Sequence, residues 1–214
     1  MKHLRLLLSA VLCLGAGHAL AAPEGALYKP VFPPGSGMAR VFNAGAPVAA
    51  GQARFGDRAL GALGSGELSV YQPVVAGKRA VSCGRKTYTL AIRESAFQTV
   101  VCGGRHEGLV VVDPTPVHIN KTFIILYNLR DAAPARLAAA GGKLTVIDAV
   151  APQKTGSREI NPVRVELSIY EGATPVFRLG EVPLAPEKIY SLFVVEEGGE
   201  TRAWLRESQL NAEI

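Results

Sequence analysis

Apolar and polar residues alternate with a period of two along several stretches of the chain. The clearest is Val163, Val165, Leu167 and Ile169, with Arg164, Glu166, Ser168 and Tyr170 between them. That spacing puts one face of a strand in a core and the other in solvent. It recurs at Leu68 and Val70 beside Glu67 and Ser69, and at Tyr88, Leu90 and Ile92 beside Thr87, Thr89 and Arg93, which predicts half-buried antiparallel strands. Continuous apolar runs at 123–127, 110–112 and 189–195 predict strands buried more fully, bounded by Asp-Pro, Asn or Gly-Gly breakers. The one helical candidate, Arg136-Leu137-Ala138-Ala139-Ala140, is confined by Pro134 and Gly141-Gly142 to little more than a turn. A helix that short does not stand alone, so a strand is expected there too.

The pattern also repeats. Ala39-Arg40-Val41-Phe42-Asn43 and Ile125-Leu126-Tyr127-Asn128 are both apolar, aromatic strands ending in Asn, and each is followed by a turn-rich zone. Later Tyr-containing strands, Tyr88-Thr89-Leu90 and Tyr190-Ser191-Leu192, suggest a diverged tandem duplication with an insertion in the second copy at residues 151–161. Between the copies, Asp113-Pro114-Thr115-Pro116 reads as a stiff, extended connector. The expected fold is all-β: two small antiparallel β-sandwich domains in tandem, residues 22–112 and 117–214, joined by the Pro-containing linker 113–116.

Composition agrees. With 48% hydrophobic and 19% charged residues, 23 Gly and 14 Pro in 214, the chain is neither charge-rich disorder nor a bundle of polar-faced helices.

Residues 1–21 read as a cleaved signal peptide: Lys2 and Arg5, an apolar run from Leu6, then Ala19-Leu20-Ala21. The run is shorter than the ~20 residues that cross a bilayer, and Ala10-Val11-Leu12 before Cys13 is not a lipidation box. Export removes two cations and lowers the formal charge from +5 to +3. The remaining cations are scattered and are not interleaved with aromatics, which argues against nucleic acid but is compatible with an anionic polymer. Export also leaves Cys83 and Cys102 as an even pair, and a disulfide is expected in an oxidising compartment.

Catalytic chemistry finds little support. After cleavage only His106 and His118 remain to act as imidazole bases, and no Gly-x-Ser-x-Gly elbow or Gly-Asp-Ser block accompanies them. Asp113 and His118 are the nearest acid–base pair, with two prolines between them. Cys83, Cys102, His106 and His118 lack the close spacing of metal ligands. Gly35-Ser36-Gly37 and Gly64-Ser65-Gly66 are isolated turns without a phosphate-binding lysine. Neither a metal nor a cofactor is expected.

What remains is contact surface: Tyr28, Lys29 and Arg40; Arg158, Glu159 and Asn161 on a loop, with Arg164 beyond it; and Trp204 between Arg202 and Arg206. Each has an ordinary structural reading beside a binding one. Arg158 and Glu159 could pair with each other, Trp204 could be core, and Asn43 and Asn161 could serve turns.

The segments Ala26-Leu27-Tyr28-Lys29-Pro30, Pro34-Gly35-Ser36-Gly37 and Arg40-Val41-Phe42-Asn43-Ala44, with Arg158-Glu159-Ile160-Asn161-Pro162-Val163-Arg164-Val165 and Tyr170-Glu171-Gly172, resemble the AlgF family of alginate O-acetylation. The cysteine pair departs from that pattern. The resemblance implies an exported periplasmic protein of tandem sandwiches similar to carbohydrate-binding modules. It would act beside a membrane-bound O-acyltransferase and SGNH-like periplasmic acetyltransferases. Together with the missing triad it implies an accessory role, docking partner enzymes. The alternatives are direct binding of alginate or another anionic polysaccharide, and an O-acetyltransferase in its own right.

Overall fold

The computed structural model describes residues 32–49, 51–118 and 120–209. Residues 1–21, read above as a signal peptide, and Tyr28 and Lys29 lie outside them. The first half contains β1 (Ser36–Asn43), β2 (Ala53–Phe55), β3 (Arg58–Ala59), β4 (Gln72–Val75), β5 (Gly77–Cys83), β6 (Lys86–Ile92), β7 (Phe97–Cys102) and β8 (Val110–Val112). The second contains β9 (Thr122–Leu129), β10 (Ala135–Ala139), β11 (Leu144–Val150), β12 (Lys154–Ile160), β13 (Val163–Glu171), β14 (Thr174–Leu184), β15 (Ile189–Glu197) and β16 (Glu200–Glu207).

Each half is a sandwich of two four-stranded sheets. The orders are β4-β1-β7-β8 over β3-β2-β5-β6, and β12-β9-β15-β16 over β11-β10-β13-β14. Adding eight to every strand number of the first half reproduces the second, so the topology is duplicated throughout. The matching strands differ from those the Tyr motifs suggested. Tyr88 lies in β6, whereas Tyr190 lies in β15, the counterpart of β7. The segment 151–161 is no inserted loop, because its residues 154–160 form β12, which pairs with β9 as β4 pairs with β1. The second copy is longer chiefly in the β13–β14 hairpin, with strands of 9 and 11 residues against 7 and 7 in β5–β6.

Two pairs depart from the antiparallel expectation: β1 with β7 and β9 with β15 run parallel at the centres of their sheets. Parallel central strands are normally covered on both faces and so lose polar alternation. That is the origin of the continuous apolar runs. On β9, Ile124 and Leu126 face the core of their own sandwich, while Phe123, Ile125, Tyr127 and Leu129 join a second core with Phe42, Val101, Phe193 and Val195. The sheets containing β1 and β9 therefore face one another, and Phe42 of β1 stacks on Phe193 of β15 with ring centroids 3.7 Å apart. Beyond area burial, such an aromatic pair contributes on the order of 1 kcal/mol.

Three local expectations need correction. Val110–Val112 is only half buried, with Val112 40% exposed, because β8 is an edge strand. Leu68 and Val70 form no strand. Leu68 bridges Phe42, but the register then slips by one residue before Gln72 meets Ala39, a bulge that interrupts the pairing. Arg40, expected at the surface, is wholly buried because strand alternation turns it from the first core toward the second sandwich. The alanine-rich segment is a strand, β10, as expected, with a 3-10 turn at Ala140–Gly142 after it. Cys83 and Cys102 are joined, tying β5 in one sheet to β7 in the other at a Cα separation of 5.4 Å.

Candidate functional site

The densest polar cluster lies between the two inner sheets. Arg40 donates from Nε to Thr99 Oγ1 at 2.9 Å, from Nη1 to Ser208 Oγ at 2.7 Å, and from Nη2 to Tyr127 Oη at 2.9 Å and Ser191 Oγ at 2.8 Å. Asp113 accepts from Tyr71 Oη at 2.6 Å, Thr99 Oγ1 at 2.7 Å and Tyr127 Oη at 2.8 Å, and lies 3.9 Å from Arg40 Nε. The Tyr71 ring lies 4.2 Å from the guanidinium carbon, a desolvated cation–π contact. A charge this deep persists only with its partners in place.

The electrostatics follow from that geometry. Burial pulls the Arg40 guanidinium toward neutrality, but the fields of Tyr127, Tyr71 and Asp113 outweigh it and leave its pKa raised. Burial pushes both phenols up, and Arg40 only partly offsets this; Tyr71 and Tyr127 therefore stay neutral donors to Asp113. The cluster gathers five hydroxyls around one cation and one anion, with no imidazole and no exposure of Arg40, Thr99, Tyr127 or Ser191. Its chemistry is that of a lock between the two sandwiches.

The histidines lie elsewhere. His106 Nε2 is 2.9 Å from Asp131 Oδ1, without hydrogen-bond alignment, and Arg105 shares that carboxylate at 2.8 Å. His118 Nδ1 contacts Glu159 Oε2 at 2.5 Å, and Glu159 also accepts from the Val117 and His118 amides. Burial opposes ionisation of Glu159, but the His118 ring and these amides prevail and hold its pKa down at about 2. Asp113 and His118 are thus committed to different partners. Among the described residues neither imidazole is hydrogen-bonded to a serine or threonine hydroxyl, and no group of three His, Cys, Asp or Glu is placed to hold a metal.

The other surface candidates are dispersed. Arg158 and Glu159 are adjacent in β12, so they point to opposite sides and do not pair. Arg158 instead donates to the Thr145 and Val146 carbonyls of β11, joining the edges of two sheets. Asn161 Oδ1 accepts from Lys121 Nζ at 2.5 Å, and Arg164 pairs with Glu181 at 2.9 Å in the open. Trp204 is half buried, 6.0 Å from Phe42 between ring centroids and pressed over Gly66, where a Cβ would lie 2.2 Å from Nε1.

An open cleft of ≈ 480 Å³ lies between residues 60–72 and Arg206 of β16. Sequence reading missed both this cleft and the partners of Arg40. The available signal was a lone arginine inside the apolar run Ala39-Arg40-Val41-Phe42, which had to be either exposed or supplied with buried acceptors.

Comparison with known proteins places these features in context. The family model described as "Alginate O-acetyl transferase AlgF" matches residues 9–191. The chain belongs to the AlgF family. Among AlgF proteins, the alginate biosynthesis protein AlgF of Pseudomonas aeruginosa is 32% identical over 202 residues, covering 92% of this chain and 91% of that protein. Its namesake in Pseudomonas putida is 30% identical over 194 residues, covering 90% and 88%. A solved structure, the C-terminal domain of AlgF from P. aeruginosa, is 34% identical, covers 41% of this chain and 98% of that one, and has a TM-score of 0.38. The family description speaks of acetyl transfer and the relatives' names of alginate biosynthesis.

Proposed function

We propose that this AlgF-family chain is a non-catalytic periplasmic accessory protein required for O-acetylation of alginate or a related exopolysaccharide. It docks SGNH-like acetyltransferases and works beside a membrane-bound O-acyltransferase. The observation that carries this reading is the Arg40–Asp113 cluster. The fold gathers its hydroxyls around a cation and a carboxylate, buries all of them but Ser208 and holds the two phenols neutral, which suits a rigid block better than a nucleophile.

Direct polysaccharide binding is motivated by the net +3 charge, the sandwich form, and Lys29, Arg40 and Arg158. Arg40 is buried and Arg158 is engaged by backbone carbonyls, which weakens that reading, and Lys29 lies outside the described residues. Deleting the gene should abolish polymer acetylation while leaving polymer synthesis intact, and purified acetyltransferase should be captured by the purified chain. Acetyl transfer from a chromogenic ester by the chain alone, lost on His118→Ala, would overturn the proposal.

A further inference from the structure

The ≈ 480 Å³ cleft beside β4 combines three features that the lock between the sandwiches does not use. Its floor is aliphatic: Leu60 and Leu63 are buried there, and Leu68 and Val70 are partly exposed. At one wall stands Arg206, whose only hydrogen bond among the described residues runs from Nη1 to the carbonyl of Leu205 at 3.0 Å, leaving most of its donor fork unengaged. Gln72 also lines the cleft, and its Oε1 is buried without a hydrogen-bond partner among the described residues. A buried acceptor without a donor is costly, so turning the Gln72 amide outward to meet a ligand N–H gains what the free protein forgoes.

We propose that this cleft takes an extended peptide segment of a partner protein in which an acidic residue stands beside an aliphatic one. The aliphatic side chain packs on Leu68 and Val70, the carboxylate meets the Arg206 fork, and a main-chain N–H meets Gln72 Oε1 once that amide turns outward. A polyanionic saccharide fits less well. Glu67 places a carboxylate in the same cleft, where it repels a chain charged at every unit, and the lining contains no aromatic ring for a sugar face to stack on. This inference rests on the docking role proposed above and adds its place and chemistry.

The test uses the purified full chain and the purified SGNH-like acetyltransferase of the same bacterium. Arg206→Glu should weaken binding at least tenfold and Leu68→Asp similarly, whereas Arg178→Glu, on the exposed face of β14, should bind as wild type; unchanged thermal unfolding excludes misfolding. Benzoylphenylalanine at Ala62, an exposed residue of the cleft, should crosslink to a partner peptide containing Asp or Glu next to an aliphatic residue. Wild-type capture with unchanged Arg206→Glu binding, and crosslinking from Ala91 on β6 but not from Ala62, would overturn the cleft and leave docking intact. No capture by wild type would overturn both. Saturable binding of mannuronate oligomers, abolished by Arg206→Glu, would reassign the cleft to polysaccharide and overturn the peptide.

Discussion

Arg40 on β1 and Tyr127 on β9 share a 2.9 Å hydrogen bond across the plane where the two sandwiches meet, and the same phenol donates its hydroxyl to Asp113 at 2.8 Å. A phenol of the second half thus joins the Arg40 cation of the first half to the Asp113 carboxylate that follows β8, with Thr99 as a second bridge between the same two charges. The contact between the halves is specific as well as apolar, because a slipped arrangement would strand a buried guanidinium. Arg40→Met should cost about 3–5 kcal/mol, the usual result of leaving one member of a buried ion pair alone. Urea unfolding would measure it. Arg40→Met combined with Asp113→Leu should be less damaging than Arg40→Met alone, since no unpaired charge remains.

Gly66 sits at φ +71° beneath Trp204. A methyl group there meets the indole nitrogen at 2.2 Å and also strains the backbone. Gly66→Ala should lower stability by about 1–3 kcal/mol and shift the fluorescence of Trp204, the sole tryptophan. The matched change at Gly61, a position with open space around its α-carbon, should leave both unchanged.

Strand identity was legible wherever one face of a strand stays wet, as in β13, because solvent writes a period of two into the residues. It was also legible in Asn43 and Asn128, the last residue of β1 and the last but one of β9, which make the same bonds. Asn43 Nδ2 donates to the Ala46 and Leu63 carbonyls and Asn128 Nδ2 to those of Ala133 and Val150, while each Oδ1 accepts the amide two residues on. The packing of one sandwich on the other was not legible. Residues facing a partner layer are apolar for the same reason as residues facing their own core, so β9 carries no mark of which side is which. Arg40 looked like a surface residue because its acceptors lie as much as 168 positions away, a separation no local pattern records. Asn43→Ala would leave the Leu63 carbonyl without its side-chain donor and should cost about 1–3 kcal/mol. Asn128→Ala should cost a similar amount in the second half, and denaturant titration of the two variants would compare them.

The Cys83–Cys102 bridge spans 19 positions and crosses the first sandwich from one sheet to the other. In the chain-entropy account a loop of that size stabilises by roughly 3 kcal/mol. Replacing both cysteines with serine should therefore lower the unfolding free energy by about that amount, and reductant should destabilise the native protein but not the double variant.

Glu159 holds the segment entering the second sandwich through the Val117 and His118 amides and the His118 ring. Because its pKa is depressed to about 2, the stabilisation it supplies is present above the ordinary carboxylate range near ~4.3. It is lost as pH falls from there through the folded value, since protonation removes the acceptor that these donors share. The Glu159 carboxyl resonance should titrate with a midpoint of about 2. In His118→Ala the midpoint should rise while staying below the ordinary range, because the two amide donors remain. A wild-type midpoint near ~4.3 would mean that neither the ring nor the amides hold the carboxylate in solution, and that residues 117–118 are tied to β12 by the chain alone.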